Sequence, residues 1–338
     1  MFNFHCDRED TLPWKGTVEN GHFRTSACAT AMSGFPWLSR HSQLELEKCG
    51  RAFAISDSED KSVCALSVSD IVTVSRINEG NKMDLGLKGR NAVVLGGTRG
   101  IGRAIADTLA AEGASVAVCA RNADQVTSTV ADLKNGGTRA TGASVDITDG
   151  AALKSWISGV ARELGSIDLL FSNAGAMAQG GDPASWEQNF RLDVLGAVNA
   201  FEAARPFLEA SGEKNGDAAF IIISSISAAH ADQASSYGPI KAALIHMAKG
   251  LARQYAAKKI RVNVVSPGTV YFKGGIWNTV EQNMPKRYQD TLARNPTGRM
   301  ATPQEIANAA VFLSSPASSF TTGSNLIVDG AISNRVNF

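Results

Sequence analysis

Asn91-Ala92-Val93-Val94-Leu95-Gly96-Gly97-Thr98-Arg99-Gly100-Ile101-Gly102 is the stretch on which the architecture turns. Its first five residues are uncharged and end in Val93, Val94 and Leu95, which reads as a buried strand. A glycine-rich turn follows. Ile101, Ile105 and Leu109 then recur every four residues and predict a helix with one apolar stripe. Strand, glycine-rich turn and helix form the context that a dinucleotide phosphate site requires. Glycines let the backbone approach a pyrophosphate, and the helix N-terminus supplies unpaired N–H groups and the positive end of a dipole. Gly96, Gly100 and Gly102 are spaced GxxxGxG rather than GxGxxG.

Downstream, Tyr237-Gly238-Pro239-Ile240-Lys241 opens an alanine-rich helical stretch. The phenol and the ammonium are four residues apart, hence one turn apart on one helix face. A neighbouring cation favours phenolate over phenol, so the pair suits proton exchange with a substrate oxygen near neutral pH. A first helical turn tolerates proline, whose missing N–H would be unpaired there anyway. Pro239 therefore places the helix start near Ser236 or Tyr237, or else kinks a longer helix. Ser224 and Ser225 lie upstream at the end of the apolar run from Phe220.

The glycine spacing and the YxxxK pair together resemble the short-chain dehydrogenase/reductase family, in its short single-domain branch. The likeness runs from about Leu87 to about Val336. Ser172-Asn173-Ala174-Gly175 resembles the family's NNAG segment after a strand at Ile167 to Phe171. Asn263-Val264-Val265-Ser266-Pro267-Gly268 resembles its segment beside the nicotinamide. The resemblance implies a Rossmann-type α/β fold: a doubly wound parallel sheet with helices on both faces in one domain. The alternation of apolar strands and amphipathic helices from Ala92 to Val328 agrees.

The resemblance also implies a reaction. Tyr237 is the general acid/base, Lys241 makes the phenol a stronger acid and holds the nicotinamide ribose, and Ser225 positions the substrate oxygen. Ser225 fits the motif order, whereas Ser224 fits the commonest distance to the tyrosine; on a strand the two point to opposite faces. Asp193 stands where the family has an asparagine. A carboxylate can accept from a lysine but cannot donate an amide N–H, and it would offset the field of Lys241 at the phenol. Asn189, one turn earlier, offers an alternative amide on the same side.

The implied cofactor contacts are Gly96, Thr98, Arg99, Gly100, Ile101 and Gly102, then Arg121, the pair Asp146 and Ile147, Asn173, Ala174 and Gly175, Tyr237 and Lys241, and Pro267, Gly268 and Val270. The second strand, Ser115 to Cys119, ends in Ala120-Arg121. A free ribose 2′-hydroxyl usually meets an acid there. Ala120 is none, while Arg99 and Arg121 suit a 2′-phosphate, so NADP(H) is preferred over NAD(H). Tyr271, Phe272, Trp277, Met284 and Tyr288 fall where the family has its substrate lid. They read equally as an apolar wall or as helix packing. Phe272 replaces a threonine that touches the carboxamide in many relatives, a role left to Thr269 or to backbone.

The partner implied is a small-molecule carbonyl or alcohol. A net charge of +1 gives no electrostatic case for nucleic acid or membrane surfaces. No apolar run reaches the ~18 residues of a membrane span, and no metal-ligand spacing is apparent. The family assembles as homotetramers or homodimers through paired helices, here about 184–210 and 235–257. Gly212 to Asp217 reads as a polar loop before the serine strand, and Cys119 as a buried thiol. Without an export signal the location expected is cytoplasmic. Residues 1–82 contain Cys6, Cys28, Cys49 and Cys64 and show no sustained periodicity. They read as a poorly ordered extension or as a mis-assigned start upstream of Met83. Three other readings are open: a non-catalytic nucleotide-binding regulator on this fold, favoured by Asp193; an enzyme of another class on the same fold, such as a dehydratase or epimerase, opposed by the glycine spacing; and a serine hydrolase using Ser225 and His230, opposed by the lack of a GxSxG elbow.

Overall fold

The computed structural model describes residues 83–231 and 234–336, together with four short strands nearer the N-terminus. These are β1 (Phe2–Phe4), β2 (Leu12–Trp14), β3 (Ala54–Asp57) and β4 (Val63–Ala65), paired antiparallel in the order β2-β1-β3-β4. They belong to a unit of their own, Met1–Asp84. The rest of 1–82 lies outside the described residues, and so does the expectation placed on it.

The second unit, Leu85–Phe338, holds a seven-stranded sheet. Its strands are β5 (Asn91–Leu95), β6 (Ser115–Ala120), β7 (Ala140–Ser144), β8 (Leu169–Ser172), β9 (Ala218–Ile223), β10 (Ile260–Pro267) and β11 (Asn325–Val328). They run in the order β11-β10-β9-β8-β5-β6-β7, all pairings parallel. After β7 the chain crosses back to place β8 on the other side of β5. That reversal opens a crevice above the C-terminal ends of β5 and β8, the usual ligand position in such sheets.

Both faces of the sheet are covered, so the central strands β5, β8 and β9 are buried along their whole length rather than on alternate residues. Val93 and Leu95 of β5 enter one core, with Phe220 and Ile222 of β9, while Ala92 and Val94 enter the other, with Ala219 and Ile221. On the first face lie α3 (Gly150–Leu164), α5 (Gly196–Asn215) and α6 (Tyr237–Tyr255); on the second lie α1 (Gly100–Ala111), α2 (Ala123–Asn135) and α9 (Pro303–Ser314). Phe201 of α5 stacks on Phe220 at 5.5 Å and meets Tyr255 edge-on at 5.0 Å. Local chemistry sets the helix ends. Asn122 and Asp149 accept from backbone N–H groups in the first turns of α2 and α3, and Thr302 with Glu305 forms a capping box on α9.

Two expectations change. The stretch Gly212–Asp217 is helical as far as Asn215 rather than a loop. Ser211 and Asn215 both donate to buried Asp168, and Gly212 lacks the Cβ that would strike the Lys258 carbonyl, so tertiary contacts extend the helix by a turn. The strand near Ile167 begins at Leu169 and ends at Ser172. The expected start of the YxxxK helix holds: α6 begins at Tyr237, with Pro239 in its first turn. No helix among the described residues is long and apolar enough to cross a membrane.

Candidate active site

The residues singled out in the sequence gather at one end of the sheet. Gly96 to Gly102 follow β5, Arg121 follows β6, Asp146 and Ile147 follow β7, Asn173 to Gly175 follow β8, Ser225 follows β9, and Pro267 to Val270 close β10. Parallel strands deliver their loops to a common edge, so segments far apart in sequence meet there.

The glycine turn is shaped for close approach. Gly96 has φ 70° and its N–H donates to the Cys119 carbonyl at 2.8 Å. Asn173 Nδ2 donates to the Gly96 carbonyl at 3.0 Å and ties the β5 and β8 loops together. A Cβ on Gly102 would collide with that same carbonyl and with the Asn173 amide, so only glycine fits. The turn leads straight into the first turn of α1, whose N–H groups have no intrahelical acceptor. A phosphate group suits this cradle. Thr98 Oγ1 donates to Gln125 Oε1 at 3.2 Å.

Arg99 and Arg121 are exposed and close no ion pair among the described residues. Arg103, by contrast, is bound to Asp107 at 2.8 Å and Asp132 at 3.1 Å. Exposed Asp146 accepts from the Thr148 N–H at 2.9 Å and from its hydroxyl at 2.8 Å; these bonds, with a smaller contribution from Arg121, hold its carboxyl below the usual range. Ile147 is buried, and its side chain fills the space left by Gly196.

On α6, the Lys241 ammonium lies 5.6 Å from the centroid of the Tyr237 ring. It also sits 2.5 Å from Asp193 Oδ1 and 3.4 Å from the Ile223 carbonyl. Both charged side chains are buried. Burial alone pulls an ammonium pKa down, but Tyr237 and Asp193 outweigh it and hold Lys241 above its ordinary value. Asp193 Oδ2 accepts from the Ala176 N–H at 2.8 Å. Gly175 makes room for the pair, since a Cβ there would lie 2.8 Å from Asp193 Oδ1 and 3.1 Å from Lys241 Nζ.

The serine alternatives separate cleanly. Ser224 is buried and its hydroxyl donates to the Lys241 carbonyl at 2.9 Å, so it secures α6 to β9. Ser225 is half-buried and its Oγ accepts from the Ser227 N–H at 3.1 Å, which leaves its O–H to donate elsewhere. Asn189, the alternative amide, is bonded on both sides. Its Nδ2 donates to the Ala178 carbonyl at 2.9 Å and to Ser236 Oγ at 2.8 Å, so it pins the residue before Tyr237. The cause is a π-helical stretch from Phe190 to Leu195, which carries Asp193 and changes the phase between it and Asn189.

Lid residues fall into two groups. Tyr271 OH donates to Glu281 Oε2 at 2.5 Å and meets the Tyr288 ring edge-on at 6.1 Å, so it ties the loop after β10 to α7 (Ile276–Asn283) and α8 (Pro285–Arg294). Phe272 packs on Gly100 and Gly275, a contact no sequence pattern signals. Thr269 Oγ1 is buried without a hydrogen-bond partner, as is His230 Nε2. No group of His, Cys, Asp and Glu suited to a metal ion occurs among the described residues.

Comparison with known proteins shows the family and the fold. A family model described as enoyl-(acyl carrier protein) reductase matches residues 96–333. Isoepoxydon dehydrogenase patN of Penicillium expansum is 38% identical over 255 residues, 73% of this chain and 96% of that one. A 7α-hydroxysteroid dehydrogenase solved with NADH and 7-oxo glycochenodeoxycholic acid superposes with a TM-score of 0.67 at 32% identity, over 75% of this chain and 98% of that one. The L-sorbose reductase of Gluconobacter frateurii, solved with NADPH and L-sorbose, gives 0.68 at 29% identity, over 75% and 100%.

Proposed function

The chain belongs to the short-chain dehydrogenase/reductase family, and from that premise we propose that it is an NADP(H)-dependent oxidoreductase interconverting a carbonyl and a secondary alcohol. The observation that carries the reading is the buried Lys241 ammonium set between the Tyr237 ring and Asp193. The nicotinamide, when bound, supplies or accepts the hydride. Tyr237 gives a proton to the carbonyl oxygen in reduction and takes one from the hydroxyl in oxidation. Ser225 donates a hydrogen bond to that same oxygen and so fixes it near the phenol. Lys241 stabilises the phenolate that remains after transfer, and Asp193 keeps the ammonium in place. Gly96 to Gly102, Asn173 to Gly175 and Pro267 to Val270 would hold the cofactor along the crevice.

The choice of NADP(H) over NAD(H) rests on two exposed guanidinium groups and on Ala120 in the place of an acid. Both cofactors occur among the relatives, with NADH on the hydroxysteroid enzyme and NADPH on the sorbose reductase. Exposed Leu195, which ends the π-helical stretch, and Val198, in the first turn of α5, support assembly into a homodimer or homotetramer. The decisive experiment offers NADPH and NADH side by side with a hydroxysteroid ketone, a ketose, a cyclohexanone carboxylate and a ketoacyl thioester. Turnover with at least one ketone and a preference for NADPH is the expected result. Cofactor binding without turnover on any of them would move the assignment to a non-catalytic regulator.

A further inference from the structure

Phe272 lies over the start of α1. A Cβ on Gly100 would come within 2.6 Å of the ring's Cζ, and one on Gly275 within 2.8 Å of its Cε1. The ring is therefore seated on two glycine backbones, one opening α1 and one capping α7. Each helix start presents N–H groups without intrahelical acceptors and the positive end of a dipole. A benzene ring has no acceptor to offer them, whereas a phosphate oxygen does.

The segment that carries the ring is a turn that leaves an anchored stretch. Up to Tyr271 the chain is anchored, because Val270 bridges to Ala301 and the Tyr271 N–H donates to the Ala301 carbonyl at 2.9 Å. Phe272 to Gly275 then close a turn, with the Gly275 N–H donating to the Phe272 carbonyl at 3.0 Å and Gly274 at φ 76°. Two consecutive glycines let such a turn re-form with little steric cost.

We infer that Phe272 is a displaceable plug of the phosphate site: its ring and the dinucleotide phosphates compete for the face of Gly100, so cofactor binding is coupled to movement of α7. The inference rests on the cofactor assignment above. The test is a calorimetric titration of NADPH into the full chain and into its Phe272→Ala and Phe272→Thr variants. In both variants the dissociation constant falls roughly tenfold, because the binding-competent arrangement is no longer the minor one. An unchanged or larger constant overturns the inference. If neither variant folds, as judged by thermal unfolding, hydrogen exchange on the unmodified chain decides. Amides of 272–280 change protection on saturation with NADPH if the plug moves, and unaltered protection overturns it. The two readings fail in different ways. NADPH binding to the unmodified chain without tightening in the variants sinks the plug alone; no binding of NADPH or NADH sinks the cofactor assignment and the plug together.

Discussion

Two buried ion pairs sit at opposite ends of the same sheet, and they are built differently. At the N-terminal end, Arg261 of β10 meets Asp217 with bonds of 2.7 and 3.3 Å. Its remaining N–H groups donate to the carbonyls of Leu313, Ser314 and Ser315 at 2.5, 2.9 and 3.0 Å. These bonds commit most of the guanidinium's five donors to the protein. At the C-terminal end, Lys241 meets Asp193 at 2.5 Å but has only a long second bond, 3.4 Å, to the Ile223 carbonyl. An ammonium carries three donors, so capacity is left over beside the Tyr237 ring. A pair so heavily bonded to its surroundings holds structure together. An unsaturated one keeps a charge available to whatever enters the crevice.

The sharpest way to break the contrast is Tyr237→Phe. Losing the proton carrier should lower kcat by roughly 10²- to 10⁴-fold, with the thermal midpoint unmoved. A loss of stability with activity intact would reverse the roles assigned to the two ends. Arg261→Met is the converse experiment. It strands Asp217 and three carbonyls, so unfolding in urea should show a loss of about 3–5 kcal/mol. Turnover per folded molecule should stay as it was.

Asp193→Asn sharpens the comparison by removing the carboxylate charge while keeping the size of the side chain. The charge of Lys241 beside the phenol is no longer offset, so the pH–rate profile for alcohol oxidation should move toward acid. An identical profile would remove Asp193 from the proton chemistry. The stability consequence has a definite sign. The folded-state pKa of Lys241 is raised, so its contribution is fully present below the ordinary 10.5 and fades as pH rises through the folded value. Alkaline unfolding above that point should be shallower in the variant. The smallest effect belongs to a site remote from both pairs: Thr302→Ala opens the capping box of α9 and should cost about 1 kcal/mol in thermal or urea unfolding.

What was legible in the chain had local causes. The Gly96–Gly102 turn and the start of α6 at Tyr237 are dictated by backbone geometry and by a proline's missing N–H, both of which a sequence displays directly. The end of α5 was not legible, because Asp168, more than 40 residues away in sequence, decides it through Ser211 and Asn215. The choice between Ser224 and Ser225 depends on which one reaches the carbonyl of Lys241, a tertiary fact. The placing of Asn189 against Ala178 and Ser236 has a subtler origin. Residues four apart share a face only where the helix keeps its regular turn, and the π-helical stretch from Phe190 abandons it.

Cys119 gives the sheet an internal gauge. Its carbonyl anchors the Gly96 turn, while its sulfur is sealed in the core and burial pushes the thiol up to about 12. Alkylating reagents attack thiolates, so this sulfur is doubly shielded, by access and by protonation. Its modification, followed on the peptide that contains it, therefore clocks how often the core on that face of β6 opens, and a tightly held dinucleotide would slow that clock without touching the sulfur itself.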